Sequence, residues 1–65
     1  MMNKPPTPSE REALRYSGLM GHEYLIMTGN DVRCEIDDRK RAIEELVPGD
    51  KLFRQVRRRK FVRIA

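Results

Sequence analysis

The C-terminal segment, residues 51 to 65, alternates apolar and basic side chains in the pattern of two β-strands. Four of its apolar residues have the spacing of strand faces: Leu52, Val56, Val62 and Ile64. The turn signal Pro48-Gly49-Asp50 precedes them, and a basic run at 57–60 separates the two halves. A charge run alone is typical of a disordered tail, but this apolar spacing predicts a β-hairpin that folds into the domain.

Charge is distributed unevenly along the chain. Seven of the 14 Lys and Arg residues and none of the 10 Asp and Glu residues lie after Asp50, so the net charge of +4 divides into +7 for this segment and −3 for residues 1 to 50. Arginine suits bidentate phosphate contact and base stacking. The segment therefore predicts a nucleic-acid-binding surface, with an acidic protein surface or a solvated, internally paired face as alternatives.

The small size of the chain limits how a core is built. A chain of 65 residues with one Cys and one His has neither a disulfide nor a metal cluster to stabilise it. The alternatives are a compact apolar core or one that is completed by self-association as a homodimer. A lone thiol and the lack of an apolar run of about 18 residues predict a cytoplasmic protein with no membrane partner.

The N-terminal half divides into an arm and a helix. Residues 1–8 contain three of the four prolines and are expected to form a flexible arm that does not pack, followed by one small β-rich domain at 9–65. Ser9 and Glu12 have the spacing of a capping box. They predict a short helix from about Glu10 to Tyr16, followed by turns at Gly18 and Gly21.

The central segment predicts a hairpin followed by an ambiguous stretch. Residues 23–28 and 32–37 have strand character on either side of a Gly29-Asn30 turn. Strict alternation places Val32, Cys34 and Ile36 on one face. Residues 38–47 have apolar residues at helical spacing, which favours one or two helical turns, with a crossing loop or a short strand as alternatives.

Several of these segments resemble the S1-like branch of OB-fold domains that contains bacterial translation initiation factor one. The residues that carry the resemblance are a first strand near Tyr16 to Met20, residues 29–36, Lys40-Arg41, Pro48-Gly49-Asp50-Lys51-Leu52 and Arg63-Ile64. The resemblance implies a mainly β (α+β) domain with a small antiparallel β-barrel of OB type. It also implies binding of RNA or single-stranded nucleic acid, with the ribosome as a partner.

A second resemblance is to the swapped-hairpin regulators of the AbrB type. It is carried by Ile36, Asp37, Arg41, Leu46 and Pro48-Gly49-Asp50, and then by the alternating apolar residues of the C-terminal hairpin. This family implies an intertwined dimer that binds DNA through basic residues. Asp37 stands where that family usually has proline, and Glu44 where it usually has an apolar residue.

The predicted binding residues all lie in the C-terminal segment, and they are Arg54, Arg57, Arg58, Arg59, Lys60, Phe61 and Arg63. The run at 57–60 is expected to hold phosphates, with Arg54 and Arg63 extending the surface. Phe61 either stacks a base or packs in the core, and Tyr24 is the second candidate for stacking. His22 is interpreted as a turn residue, so no enzyme, metal or cofactor is predicted.

A different class of function is also compatible with the pattern. A small regulator or inhibitor that docks on a larger machine, such as RNA polymerase or the ribosome, would use the same polarised surface. The edge from Phe61 to Ile64 would suit β-augmentation by such a partner.

Overall fold

The computed structural model describes residues 3–18, 21–58 and 60–65. Its elements are α1 (Pro8–Gly18), β1 (Tyr24–Thr28), β2 (Asp31–Ile36), α2 (Arg39–Glu45), β3 (Asp50–Arg57) and β4 (Lys60–Arg63). The strands make one antiparallel sheet in the order β2-β1-β3-β4. The predicted α+β fold is confirmed. The predicted barrel is not, because β2 and β4 are the outer strands of an open sheet in the described part of the chain.

Strand β1 lies at the centre of the fold and is buried on both sides. Tyr24, Leu25, Ile26 and Met27 are each at most 5% exposed. Alternate side chains of a strand point to opposite sides of the sheet. Leu25 and Met27 pack on the side covered by α1, and Tyr24 and Ile26 pack on the side that contains Ala42 of α2. We call these two sides the α1 face and the α2 face.

Helix α1 starts at a capping box that lies earlier in the chain than the sequence predicts. Thr7 Oγ1 accepts a hydrogen bond from Glu10 N at 3.3 Å, and the Glu10 carboxylate accepts one from Thr7 N at 2.9 Å. Pro8 occupies the first helical position, where its missing N–H leaves no donor unsatisfied. Both Thr7 and Ser9 are followed by Glu at the third position, so the motif alone did not distinguish them.

The helix also extends beyond the predicted end at Tyr16. It continues to Gly18, so residues 16 to 18 are helical and not the beginning of a first strand. The remainder of that predicted strand, residues 19 and 20, lies outside the described residues. Tyr16 is 70% exposed, whereas Leu14 is fully buried against the sheet.

Strand β2 contains a β-bulge at Arg33. Ile26 lies opposite Cys34 and Met27 lies opposite Val32, so Arg33 has no partner of its own on β1. An extra residue of this kind changes the side to which the rest of the strand points. Val32 therefore packs on the α1 face and Cys34 on the α2 face. The prediction that Val32, Cys34 and Ile36 share one face is therefore wrong for Val32, whereas Cys34 and Ile36 do share the α2 face.

Helix α2 occupies the segment that the sequence left ambiguous. Asp38 caps its first turn by accepting a hydrogen bond from Lys40 N at 3.1 Å. The helix is seven residues long, which confirms the prediction of one or two helical turns. Ala42 is its buried residue and packs against the α2 face of the sheet.

The chain enters β3 through a turn that is fixed by the carboxylate of Asp50. Asp50 N donates to Val47 O at 3.0 Å, and Gly49 has a φ of +93°, as a type II turn with Pro48-Gly49 at its centre requires. The carboxylate accepts from Thr28 Oγ1 at 2.7 Å, from Arg33 Nη2 at 2.6 Å and from Val47 N at 3.2 Å. These hydrogen bonds, with that from Thr28 the largest, hold the pKa of Asp50 below its ordinary value.

Lys4, in the N-terminal arm, pairs with the outer edge of β4, where the sequence predicts no packing. Lys4 N donates to Arg63 O at 3.1 Å, and Arg63 N donates to Lys4 O at 2.7 Å. Continuing this antiparallel register would place Pro6 opposite Phe61. Because proline has no N–H, the ladder cannot be extended there, and the pairing stays a single bridge.

The capping box predicts a specific difference between two neighbouring substitutions. Thr7→Ala removes the side-chain acceptor of the box, and we expect it to lower the free energy of unfolding by about 1 kcal/mol. Ser9→Ala, in the exposed first turn, should change it by less than about 0.5 kcal/mol. Urea unfolding followed by circular dichroism measures both, and equal effects would contradict this placement of the cap.

Candidate nucleic-acid interface

The C-terminal hairpin forms as the sequence predicts, but it also contains a bulge. Gln55 lies opposite Phe61 and Arg57 lies opposite Lys60, so Val56 is an extra residue on β3. Residues that lie directly opposite each other on antiparallel strands share a face. The bulge therefore sets Arg57 on the same side as Lys60, whereas an uninterrupted β3 would place it on the other side.

Three of the predicted basic residues share the α2 face. Arg54 lies opposite Val62, which packs in the cluster on that face. Lys60 follows the strand alternation of Val62, and Arg57 is its direct partner. All three are exposed, and so is Arg58 at the tip of the hairpin. Arg59, the remaining member of the basic run, lies outside the described residues.

Arg63 points to the opposite side of the sheet from these three residues. It lies opposite Phe53, which belongs to the cluster on the α1 face, and is half-buried. Its Nε donates a hydrogen bond to Ala65 O at 3.1 Å. The structure thus separates Arg63 from the surface that Arg54, Arg57 and Lys60 form.

The two aromatic residues considered for base stacking are buried. Phe61 is 5% exposed and packs with Leu14, Leu25, Met27 and Phe53. Of the two roles that the sequence left open for Phe61, the structure therefore supports core packing, and the residue leaves the candidate interface. Tyr24 is also 5% exposed and belongs to the lining of a surface groove.

That groove lies on the α2 face beside the basic residues, and sequence reasoning did not find it. Its volume is about 250 Å³, and its lining includes Tyr24, Arg39, Arg54, Val56, Val62 and Ile64. The groove forms where the first residue of α2 meets the hairpin, and this meeting depends on the position of the helix and on the bulge in β3. No short sequence motif therefore predicts the groove. We call it the α2-face groove.

The groove lining includes one member of an exposed ion pair, Arg54, and one tyrosine, Tyr24. Arg54 Nε lies 3.3 Å from a Glu23 carboxylate oxygen, with 51% and 45% of the two side chains exposed. An exposed pair of this kind contributes little to stability, so Arg54 can exchange Glu23 for another anion. Burial and a hydrogen bond with Glu23 raise the pKa of the Tyr24 hydroxyl, which is therefore neutral at pH 7.

Two further basic residues form ion pairs within the folded domain. Lys51 Nζ donates to the Glu10 carboxylate, and the side chains are 18% and 8% exposed. This contact ties β3 to the first turn of α1. Arg33, redirected by its bulge, donates to Asp50 and also to Glu45 O at 2.8 Å. Neither side chain is placed to contact a partner of the hairpin.

Several acidic residues lie at the other edge of the sheet. The His22 ring lies 3.2 Å from an Asp37 oxygen and 3.5 Å from a Glu35 oxygen. An open depression of about 430 Å³ beside it also has Asp38, Arg41 and Glu45 in its lining. Among the described residues no cluster of three or more candidate ligands is arranged to hold a metal ion. Acidic side chains therefore predominate around this depression, and basic side chains predominate on the hairpin.

Comparison with known proteins adds no assignment. No protein-family model, curated protein or solved structure matches the chain. Over the described ranges, neither helix has the length and apolar character that crossing a membrane demands.

The Glu10–Lys51 pair predicts a pH-dependent stability. Burial raises the pKa of Glu10, but hydrogen bonds from Lys51 and Thr7 together lower it by more than burial raises it. The pKa of Glu10 therefore lies below its ordinary value of 4.5. Because the folded-state pKa is lowered, the stabilisation is complete above pH 4.5 and is lost as the pH falls through the folded-state pKa. We expect Glu10→Gln to lower the free energy of unfolding at pH 7 on the order of 1–3 kcal/mol.

Urea unfolding at pH 7 and at pH 3 tests this expectation. The difference between the wild type and Glu10→Gln should shrink at pH 3. Glu12→Gln, an exposed substitution on the same helix, serves as the control and should have a small effect at both pH values. A Glu10→Gln effect that is equal at the two pH values would contradict the assignment.

Proposed function

We propose that the chain is a small regulatory module that binds nucleic acid, with RNA or single-stranded DNA favoured, through the α2 face of its C-terminal hairpin. Arg54, Arg57, Arg58 and Lys60 contact phosphates, and Arg59 completes the run. The observation that supports this most directly is the bulge at Val56, which brings Arg57 to the side of Arg54 and Lys60.

The electrostatics of the surface support the same proposal. Repulsion among clustered cations costs stability unless a partner neutralises them. The acidic depression lies beside β2, at the other edge of the sheet, and the carboxylate that pairs with Arg54 on this surface belongs to Glu23, whose side chain is 45% exposed. A polyanion therefore relieves repulsion at the hairpin without having to displace a buried ion pair.

The more specific part of this proposal is that the domain is of OB type. Its support is an antiparallel sheet that ends in a basic hairpin, since OB-type domains bind oligonucleotides on strands and loops. The nucleic-acid proposal depends on the placement of the cations and not on barrel closure.

Neutralising the hairpin tests the proposal. The variant Arg57→Gln/Arg58→Gln/Lys60→Gln should bind a single-stranded oligonucleotide more weakly, because three cations no longer neutralise phosphates. The slope of log K against log salt concentration should decrease in magnitude by about 0.7 for each phosphate that is no longer neutralised, hence by about 2 for three. Fluorescence anisotropy across a salt series measures affinity and slope together.

A variant with the same net charge provides the control. Arg15→Gln/Lys40→Gln/Arg41→Gln removes three exposed positive charges from the helices. It should leave the slope close to that of the wild type. Equal slopes for the two triple variants would contradict the proposal. A stoichiometric protein captured from nuclease-treated lysate would instead favour a protein-binding regulator or inhibitor.

The swapped-hairpin alternative makes a separate prediction about oligomeric state. An intertwined dimer takes core strands from two chains, whereas the described core, ten buried apolar side chains in two clusters, comes from one chain. We expect a folded monomer at low micromolar concentration in sedimentation equilibrium. A dimer that dissociates only on unfolding would instead support the swapped-hairpin regulator.

A further inference from the structure

The α2-face groove combines an apolar floor with a cationic rim. Tyr24, Val62 and Ile64 form the floor, and Val56 forms a wall that is 43% exposed. Arg39 and Arg54 contribute the rim, and Arg54 is also part of the proposed phosphate surface. A small anion would contact the rim but leave the exposed surface of Val56 and Val62 in water. The ligand that covers both has an anionic backbone and a planar apolar group attached to it.

We infer that the α2-face groove receives one nucleobase of a single-stranded nucleic acid whose neighbouring phosphates contact Arg54 and Arg57. This inference rests on the proposed function and names its ligand more closely. The ring of the base covers Val56 and Val62 and removes their exposed surface from water.

The size of the groove favours a single strand over a duplex. Its volume of about 250 Å³ corresponds to about eight water molecules in the liquid, which is room for one ring system. In a duplex the bases are stacked and paired, so none enters a groove without being flipped out at an energetic cost. Single strands present unstacked bases that proteins receive on apolar surfaces.

Binding of three matched ligands tests the inference. A single-stranded oligonucleotide, the same strand with abasic sites and the corresponding duplex are titrated by fluorescence anisotropy at one salt concentration. Removal of the bases should weaken binding about fivefold although every phosphate remains, because roughly 40 Å² of apolar surface at Val56 and Val62 then stays in water. The duplex is expected to bind through its phosphates alone.

A substitution in the groove provides the second measurement. Val56→Thr keeps the β-branched shape but removes one apolar methyl from the wall, and we expect about fourfold weaker binding of the intact strand. The abasic strand and the duplex should be unaffected. Val47→Thr, at a position that is 54% exposed and outside the groove lining, is the matched control and should change none of the three affinities.

Failure of the inference and failure of the proposed function give different results. Equal affinities for the intact and abasic strands, or equal effects of Val56→Thr and Val47→Thr, would overturn the base-binding groove and leave phosphate binding intact. Absence of salt-dependent binding to strand and duplex alike would overturn both. Displacement of the strand by a poly-glutamate peptide of equal charge and equal affinity would assign the surface to an acidic protein partner.

Discussion

The burial of β1 on both sides is the constraint from which the rest of the fold follows. The side chains of four consecutive buried residues, Tyr24 to Met27, point alternately to the two sides of the sheet. Each side therefore needs its own element to cover it. Leu14 of α1 and Ala42 of α2 supply those covers. Strands β2 and β4 lie outside β1 and β3 and form the two edges of the sheet in the described part of the chain. Strand β4 of the basic hairpin is one of these edges, and the hairpin cations Arg54, Arg57, Arg58 and Lys60 are exposed.

Two bulges, one in each hairpin, determine where the arginines point. The side-chain period of a strand is two residues, so a single extra residue moves its neighbours to the other face. The bulge at Arg33 turns that guanidinium toward Asp50, where it stabilises the turn into β3. The bulge at Val56 turns Arg57 toward the side of Arg54. The same local irregularity thus serves the fold in one hairpin and the candidate interface in the other.

Local patterns predicted much of the fold because they describe contacts close in sequence. The two hairpins, the Pro48-Gly49 turn and the helical segment after Asp38 all follow from turn chemistry and spacing. The bulges did not follow, because the alternation from Val32 to Ile36 is the same with or without an extra residue in the pairing. The basic residues were predicted as a group, but their division between the two faces depends on that pairing.

Contacts between distant residues explain the other differences. The burial of Phe61 depends on α1, which lies about fifty residues earlier in the chain, and no property of the C-terminal segment indicates that the helix covers it. The open sheet has the same origin. Whether the outer strands meet to close a barrel depends on both the twist and the length of the strands. Residues 16 to 18, which a barrel would have used as a strand, are helical instead.

The edge of β4 indicates which kind of partner the hairpin suits. Strand addition needs a row of free backbone donors and acceptors, but Lys4 already takes both groups of Arg63, and proline follows it where the next pair would form. A partner that adds a strand would first have to remove the arm. The cations on the α2 face require no such rearrangement, because Arg57, Arg58 and Lys60 are exposed and the ion pair of Arg54 with Glu23 is exposed as well. A ligand bound through side chains therefore fits this hairpin better than one bound through its backbone, which favours a polyanion over a β-strand.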